Sequence, residues 1–546
     1  MGNLFIVNTF TLAQPETSTS SSIQFYTTLT MGAIPFEIIH EHLGALVLGV
    51  LGSATLYTLW TVVYNLYFHP LARFPGPFLA KISPIYSIYG LARGRWPLDV
   101  HQVHLKYGPI VRLMPNELSF TDPEAWRDIY GHRQGHQQFH KDPIHVGSIQ
   151  DIPGSTTLTM SDDVNHTRQR RTLAHAFSQK ALLEQESIIR GYVDLFVEKL
   201  TVFATSGERV NMCDWLNFTT FDIIGDMAFG EPFGCLRDGV FHDWVSLISE
   251  TIKAGAFEQV TRRMCTTGST LQKLLVRLIP SDLRRKRRQH LELSREKCLK
   301  RIEEGLRREH HDFLYYILRA NEKGGVRQDE IILNSALFIV AGSETTASLL
   351  AGLTMHLMRS PAAYARLTKE IRGRFSSAEH MDFTQLQELE YMNACINEAL
   401  RIFPPVPTGL TRTVPKAGDM VAGEILPGGT TVSVYSWAST HSPNNFSRPD
   451  EFIPERWLDP AYANEKREAS QPFSLGPRGC IGKNLAYLEL RLILATLLWH
   501  FDLERADLTD ASSFDVWDVS NDLKNVKAFT TWNKPPLWTK LTLVQR

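Results

Sequence analysis

The sequence predicts a mainly α-helical protein with a small β region, preceded by one transmembrane helix. Segments with apolar residues at helical spacing dominate the chain, short β-type runs are few, and the 25-residue stretch Leu43 to Tyr67 carries no charged residue. At 546 residues several domains would fit, yet no repeat, long linker or composition break follows Phe78, so one large domain is expected from there to the C-terminus. Formal net charge is −1, which gives no electrostatic case for a nucleic-acid partner, and 43% of residues are hydrophobic, ample for a large core. The six cysteines (Cys213, Cys235, Cys265, Cys298, Cys395, Cys480) are scattered with no Cys-x-x-Cys pair, which fits a reducing compartment better than a disulfide scaffold.

Along the chain, residues 1–42 form a short N-terminal segment whose polar run Thr17 to Ser22 has the composition of disorder. Leu43 to Tyr67 is long enough to cross a bilayer core of ~30 Å at ~1.5 Å per residue. A cleaved signal peptide is disfavoured because the stretch begins late and lacks a basic leader; a buried core helix is the alternative. No Lys or Arg precedes Arg73, whereas Arg73, Lys81, Arg93 and Arg95 follow the span. The positive-inside rule therefore puts the N-terminal segment in the lumen and the bulk of the chain in the cytosol, where the sequons at Asn217 and Asn445 would escape glycosylation. Residues 68–77, with prolines at 70, 75 and 77, read as a stiff hinge before a domain spanning 78–546.

Helices are expected at Ser178–Phe203, Val245–Ala256, Arg284–Glu304, Gln328–Met358, Pro361–Phe375, Leu386–Phe403 and Lys483–Phe501. Strands are expected at Ile110–Leu113, Glu117–Phe120, Thr430–Tyr435 and Leu537–Val544. Two patterns carry less than they suggest. His132, His136, His140 and His145 mimic ligand spacing, but Gly131, Gly135 and Pro143 interrupt the helix that would align them, so a solvated loop is a better reading than a zinc site. The basic run Arg284 to Arg288 reads as a solvated helix face.

The chemistry concentrates near the C-terminus. In Phe473-Ser474-Leu475-Gly476-Pro477-Arg478-Gly479-Cys480-Ile481-Gly482 a lone cysteine sits in a stiff Gly/Pro loop directly before a helix. A lone Cys is most often a small buried hydrophobe. Here the helix N-terminus and Arg478 both favour an anionic sulfur, which suits a thiolate offered to a metal, and Gly476, Gly479 and Gly482 let backbone approach a flat ligand. A phosphate loop is excluded, since Asn484 stands where Ser or Thr would follow the lysine.

Upstream, Ala341-Gly342-Ser343-Glu344-Thr345-Thr346 places an acid next to an alcohol on the longest helix, with Gly342 opening room beside it. Such a pair can deliver protons to dioxygen during its reduction; the plainer alternative is a threonine bonded back to the carbonyl one turn earlier. Glu398 and Arg401, three residues apart, are neighbours on another helix.

The cysteine segment resembles the Phe-x-x-Gly-x-Arg-x-Cys-x-Gly haem-binding loop of the cytochromes P450, and the other motifs follow that family's order. The resemblance implies the family's fold and a haem b cofactor ligated through iron by Cys480, with Phe473 and Arg478 lining the loop. It makes Thr345 and Glu344 the oxygen-activation pair. It also implies a buried network of Glu398, Arg401 and Arg456 (in Phe452-Ile453-Pro454-Glu455-Arg456-Trp457) that holds the loop. Arg170 and Arg412 match propionate-binding positions. His166 replaces the family's usual tryptophan, so it is either a propionate donor or a surface histidine.

The resemblance thus implies a monooxygenase that oxidises a hydrophobic small molecule. Its electrons would come from NADPH-cytochrome P450 reductase, with cytochrome b5 as a further partner, at the endoplasmic reticulum membrane. The stretch Tyr64 to Pro77 is similar to fungal members that tailor secondary metabolites. An enzyme of the same type without oxygen insertion (isomerase, dehydratase or coupling enzyme) and a non-catalytic haem-binding membrane protein are the competing readings. The expected pocket walls are His145–Thr157, Val245–Phe257, Ala336–Thr345, Val406–Leu410 and Ala528–Pro535.

Overall fold

A computed structural model describes residues 36–147, 149, 152–308, 310–322, 324–506, 517 and 526–545. The polar run 17–22 and most of segment 1–42 lie outside the described residues. The chain divides into two compact units between Trp60 and Thr61.

The described part of the first unit is helix α1 (Phe36–Val63), up to Trp60. From Leu43 onward its apolar side chains are exposed, with Leu48 71% and Leu56 70% exposed. An uncharged helical stretch that exposes its apolar side chains from Leu43 onward has the character of a membrane span rather than of a surface helix. A second helix of sufficient length and apolarity, Gln328–Arg359, is instead buried in the second unit.

Within the second unit the stretch 68–77 is packed against the domain. Leu71 and Phe74 are buried, and Pro75 O accepts from Arg112 N at 2.7 Å. The Arg112 guanidinium also donates to Asn65 O at 2.8 Å. Proline supplies carbonyls without needing acceptors for its own nitrogen, so the segment is fastened to the domain instead of swinging free.

Nine helices serve the argument that follows: α2 (Asp163–Leu173), α3 (Gln179–Ser206), α4 (Met212–Phe229), α5 (Asp243–Met264), α6 (Ser281–Glu304), α7 (Gln328–Arg359), α8 (Pro361–Arg374), α9 (Glu390–Ile402) and α10 (Lys483–His500). Seven of them coincide with the helices expected from periodicity; α2 and α4 do not. A five-stranded sheet has the order β1-β2-β8-β5-β3, made of β1 (Ile110–Met114), β2 (Glu117–Phe120), β3 (His140–Lys141), β5 (Arg412–Thr413) and β8 (Thr431–Val434). Its β2–β8 pair is parallel, with Leu118 opposite Val432, and the other pairs are antiparallel. A second sheet places β12 (Trp538–Leu543) between β4 (Val210–Asn211) and β9 (Phe501–Arg505). Two hairpins, β6 (Asp419–Val421) with β7 (Glu424–Leu426) and β10 (Lys527–Ala528) with β11 (Trp532–Asn533), complete the β structure used here.

The centre of the domain is α7 packed on α4, with α6, α9 and α10 around them. Glu330 starts α7 by accepting from the Arg327 N–H at 2.9 Å, and Arg168 of α2 pairs with the same carboxylate at 2.6 Å. Helix α10 begins at Lys483 directly after the cysteine loop and buries Leu485, Leu488, Leu492 and Ile493. The loop is thereby rooted in the largest hydrophobic cluster of the molecule. Asn445 is buried and donates to Thr121 O at 2.7 Å, so its sequon is closed to any glycan.

Candidate active site

The cysteine loop is a set of backbone bonds. Cys480 N donates to Phe473 O at 2.8 Å, Gly479 N donates to Gly476 O at 3.0 Å, and Arg170 of α2 holds Gly479 O at 2.7 Å. Phe473 packs tilted on Tyr487 of α10, 5.3 Å between centroids. Gly476 is needed because its φ is +68° and a Cβ there would stand 2.1 Å from Tyr130 O. Gly479 is close to the Gly476 carbonyl, whereas Gly482 meets nothing nearer than 3.9 Å, so only Gly476 has a compulsory role in the loop's shape. Cys480 keeps an exposed face although protein crowds around it. Burial raises the thiol, while a Gly482 N–H hydrogen bond, Arg170 and Lys483 act in the opposite direction. Arg478 is not the cation that acts on the sulfur: it donates to Asp163 Oδ1 at 2.8 Å and to Ser161 O at 2.8 Å.

Beside this loop stands a group of cations with too little negative charge. Lys141 and Arg412 are direct cross-strand partners of β3 and β5, a like-charge pairing that is unfavourable by itself. Arg412 is buried, and the acceptor its guanidinium finds is the Thr411 carbonyl at 3.1 Å. Arg478 leaves Nη1 buried and unpaired. Lys141 donates to Thr159 O and lies 3.3 Å from His145 Nε2. Burial, then Arg412 and Arg478, push Lys141 well below its ordinary value; burial, then Lys141, Arg412, Arg262 and Arg478, do the same to His145. Asp163 is the carboxylate hydrogen-bonded to the group, through Arg478 and His140. Facing buried cations with an unpaired donor call for an anion, and a flat ligand bearing carboxylates next to the Cys480 sulfur meets that need.

His166 of α2 is buried, which removes the surface-histidine alternative. Burial first, then Arg478, Arg170 and Lys141, push it down to about 4, so it is a neutral imidazole at physiological pH. Three of the four histidines of that pattern have separate partners: His136 pairs with Asp419, His140 with Asp163, and His145 lies beside Lys141.

On α7 the helix runs unbroken through Gly342. The space expected beside Gly342 is filled: a Cβ there would lie 2.6 Å from Ile224 Cδ1, so the glycine lets α4 approach α7. Ala341 is nevertheless exposed in the middle of this core helix, which marks an internal opening. Thr345 Oγ1 donates to Ala341 O at 2.6 Å, the local bond foreseen as the plainer alternative. Glu344 pairs with Lys534. Thr346 donates to Glu489 of α10, a buried carboxyl that burial pushes up to about 8.

Glu398, Arg401 and Arg456 are brought together with all three side chains fully buried. Arg401 grips Glu398 with two bonds of 2.9 and 2.8 Å, and Arg456 adds one of 3.2 Å. Ile453 N and Trp457 Nε1 also donate to Glu398, at 2.9 and 3.1 Å. Arg401 binds the Thr440, Pro449 and Glu451 carbonyls as well, and Arg456 pairs with Glu465. The segment leading into the cysteine loop is thus tied to α9.

Sequence reasoning missed Lys141, Lys534 and the role of His145. Lys141 and Lys534 lie in short strand-and-loop segments far in sequence from the groups they meet, and no local pattern marks them.

With this geometry in hand, comparison with known proteins is unambiguous about class. The profile of the cytochrome P450 family matches residues 81–526. The chain belongs to the cytochrome P450 family. It is similar to cytochrome P450 monooxygenase aba2 of Botryotinia fuckeliana, 44% identical over 489 residues that cover 89% of this chain and 93% of that one. It is 44% identical to cytochrome P450 monooxygenase ABA2 of Pyricularia oryzae over 519 residues, 93% of this chain and 99% of the relative. Averantin hydroxylase of Dothistroma septosporum is 39% identical over 493 residues, 90% of each chain. The protein is therefore a P450 monooxygenase, and the family implies a haem-thiolate iron cofactor and a redox partner that supplies electrons.

Proposed function

We propose that this protein is a membrane-anchored monooxygenase that hydroxylates a hydrophobic small molecule in a tailoring step of fungal secondary metabolism. The observation that supports the site assignment most strongly is the cysteine loop next to an uncompensated group of cations. In this reading Cys480 ligates haem b, Arg412, Lys141 and Arg478 bind its carboxylates, and neutral His166 donates a hydrogen bond without adding charge. Thiolate-ligated haem supplies the activation of dioxygen, with the sulfur pushing electron density toward the reacting oxygen.

The chain's own residues then have defined tasks. Phe473, Gly479 and Arg170 hold the loop so that the sulfur keeps one direction. Glu398, Arg401 and Arg456 fix the segment that precedes it and touch nothing reactive. Thr345 holds a proton at Oγ1, released to the cavity when its bond to the Ala341 carbonyl opens, and Glu344 replaces that proton. Apolar residues of α4 and α7 keep water from reaching the site freely, which favours productive proton transfer over leakage.

Leu43–Tyr67 anchors the chain in the endoplasmic reticulum membrane with the domain in the cytosol, following the charge asymmetry around the span. NADPH-cytochrome P450 reductase, with cytochrome b5 as a second donor, supplies electrons. The 39% identity to a protein named averantin hydroxylase supports hydroxylation as the reaction. Metabolite profiling of a strain lacking the gene tests the function: a single precursor should accumulate and be converted, with a gain of one oxygen atom, by the reconstituted enzyme. A precursor converted without gain of oxygen would refute hydroxylation.

A further inference from the structure

The acid of the oxygen-activation pair does not face open solvent. Lys534 Nζ donates to Glu344 and, at 3.0 Å, to Ser348 Oγ one turn further along α7. The Lys534 side chain is 4% exposed and that of Glu344 16%. A lysine this deep is unfavourable unless paired, so its place beside Glu344 is built in rather than incidental. The loop that carries it is fastened independently at both ends. Trp532 Nε1 donates to Pro404 O at 2.8 Å, Leu537 N donates to Asn211 Oδ1 at 2.9 Å, and Cys213 Sγ donates to Pro535 O at 3.2 Å. The ion pair is therefore not required to hold the loop in position.

Next to this loop is the first turn of α4, where Cys213 donates to Pro535 O and Lys534 eases the ionisation of Asp214 and Cys213 against the effect of burial. Asp214 is half-buried and accepts from Asn211 Nδ2 at 2.7 Å. Among the described residues, the charged and titratable groups near Lys534 include Glu344 from α7 and Asp214 and Cys213 from α4.

We propose that Lys534 is a positioning residue for proton delivery, fixing the Glu344 carboxylate on α7 through its ion pair and its bond to Ser348. This rests on the assignment of Glu344 and Thr345 made above. In each delivery Thr345 passes its hydroxyl proton into the cavity. The Glu344 carboxylate, let go by Lys534, takes a proton from solvent and hands it on through water to Thr345, and then pairs with the Lys534 ammonium again. The protein ends unchanged.

The test uses the full-length holoenzyme with reductase in lipid vesicles and, as substrate, the precursor accumulated by the deletion strain. Lys534→Met should retain the reduced carbon monoxide spectrum and slow iodoacetamide labelling of Cys213, showing that haem and loop are intact. Product per NADPH should fall about tenfold, peroxide should rise, and the solvent isotope effect should grow. Lys534→Arg should recover product yield to within about twofold, and Ser348→Ala, which removes only the second bond, should give a smaller loss. Unchanged yield and isotope effect in Lys534→Met would overturn the proposal. So would losses that track faster Cys213 labelling and persist in Lys534→Arg, the pattern of a purely structural pin. If Glu344→Gln and Thr345→Ala stay coupled, the underlying relay fails; if those two uncouple and Lys534→Met does not, only the role of Lys534 fails.

Discussion

Replacing Glu398 by alanine removes the acceptor at the centre of the buried network. Five hydrogen bonds end on its two oxygens, from Arg401 Nε and Nη2, Arg456 Nε, Trp457 Nε1 and Ile453 N. Breaking a buried ion pair by removing one partner costs about 3–5 kcal/mol, because the other charge stays buried. Arg401 would keep three carbonyl acceptors and Arg456 would keep Glu465, which places the expected loss toward the lower end, about 3–4 kcal/mol. The second unit spans Thr61–Arg546, about 490 residues, so at ~2.1 cal/mol/K per residue its melting temperature should drop by roughly 3–4 °C. The network ties α9 to the segment entering the cysteine loop, so the thiolate-type carbon monoxide signal should be lost before the protein unfolds. Parallel melting curves and carbon monoxide titrations of Glu398→Ala and the unchanged holoprotein check both parts. A full carbon monoxide signal with a melting temperature shifted by less than about 1 °C would refute the reasoning.

Three further outcomes are expected. Gly476→Ala places a Cβ 2.1 Å from the Tyr130 carbonyl at a φ of +68°, so its carbon monoxide spectrum should lack the thiolate band even where the protein folds; a normal spectrum would show that the loop tolerates the shift. Gly342→Ala should destabilise by about 1–2 kcal/mol through contact with Ile224, and Ile224→Val should relieve much of it in a double-mutant cycle; strictly additive effects would exclude the contact. Burial raises Glu489 from its ordinary 4.5 to about 8, so folding retains a proton the unfolded chain releases, and this contribution is present below about pH 4.5 and lost as pH rises to about 8. Glu489→Gln should remove that decline, of order a few kcal/mol, so that its melting temperature gains on the unchanged protein between about pH 5 and pH 8; parallel curves would contradict it.

Much of the fold was legible because amphipathic helices advertise themselves: α3, α6, α7, α8, α9 and α10 lie within a few residues of their expected bounds. Helix α4 escaped notice for the opposite reason. From Leu216 to Phe229 every residue is buried, so no polar face supplies a period. Helix α2 was hidden by its polarity, since Arg170 and the buried His166 face the cysteine loop while Arg168 reaches Glu330 of α7 and Arg171 stays exposed. The cysteine loop and the Glu398–Arg401 pair were legible because their chemistry is local in sequence. Lys141 opposite Arg412, and Lys534 against Glu344, are joined only by sheet register and loop closure, which no spacing rule foretells.

The central claim is that Cys480 presents a thiolate to haem iron, and the reduced carbon monoxide difference spectrum tests it most directly. The unchanged protein should give the strongly red-shifted Soret band of thiolate ligation, and Cys480→Ala should abolish it. Alanine at Cys213, Cys235, Cys265, Cys298 or Cys395 should each leave the band in place. A red-shifted band that survives Cys480→Ala, or its absence from the unchanged haem-loaded protein, would contradict the account.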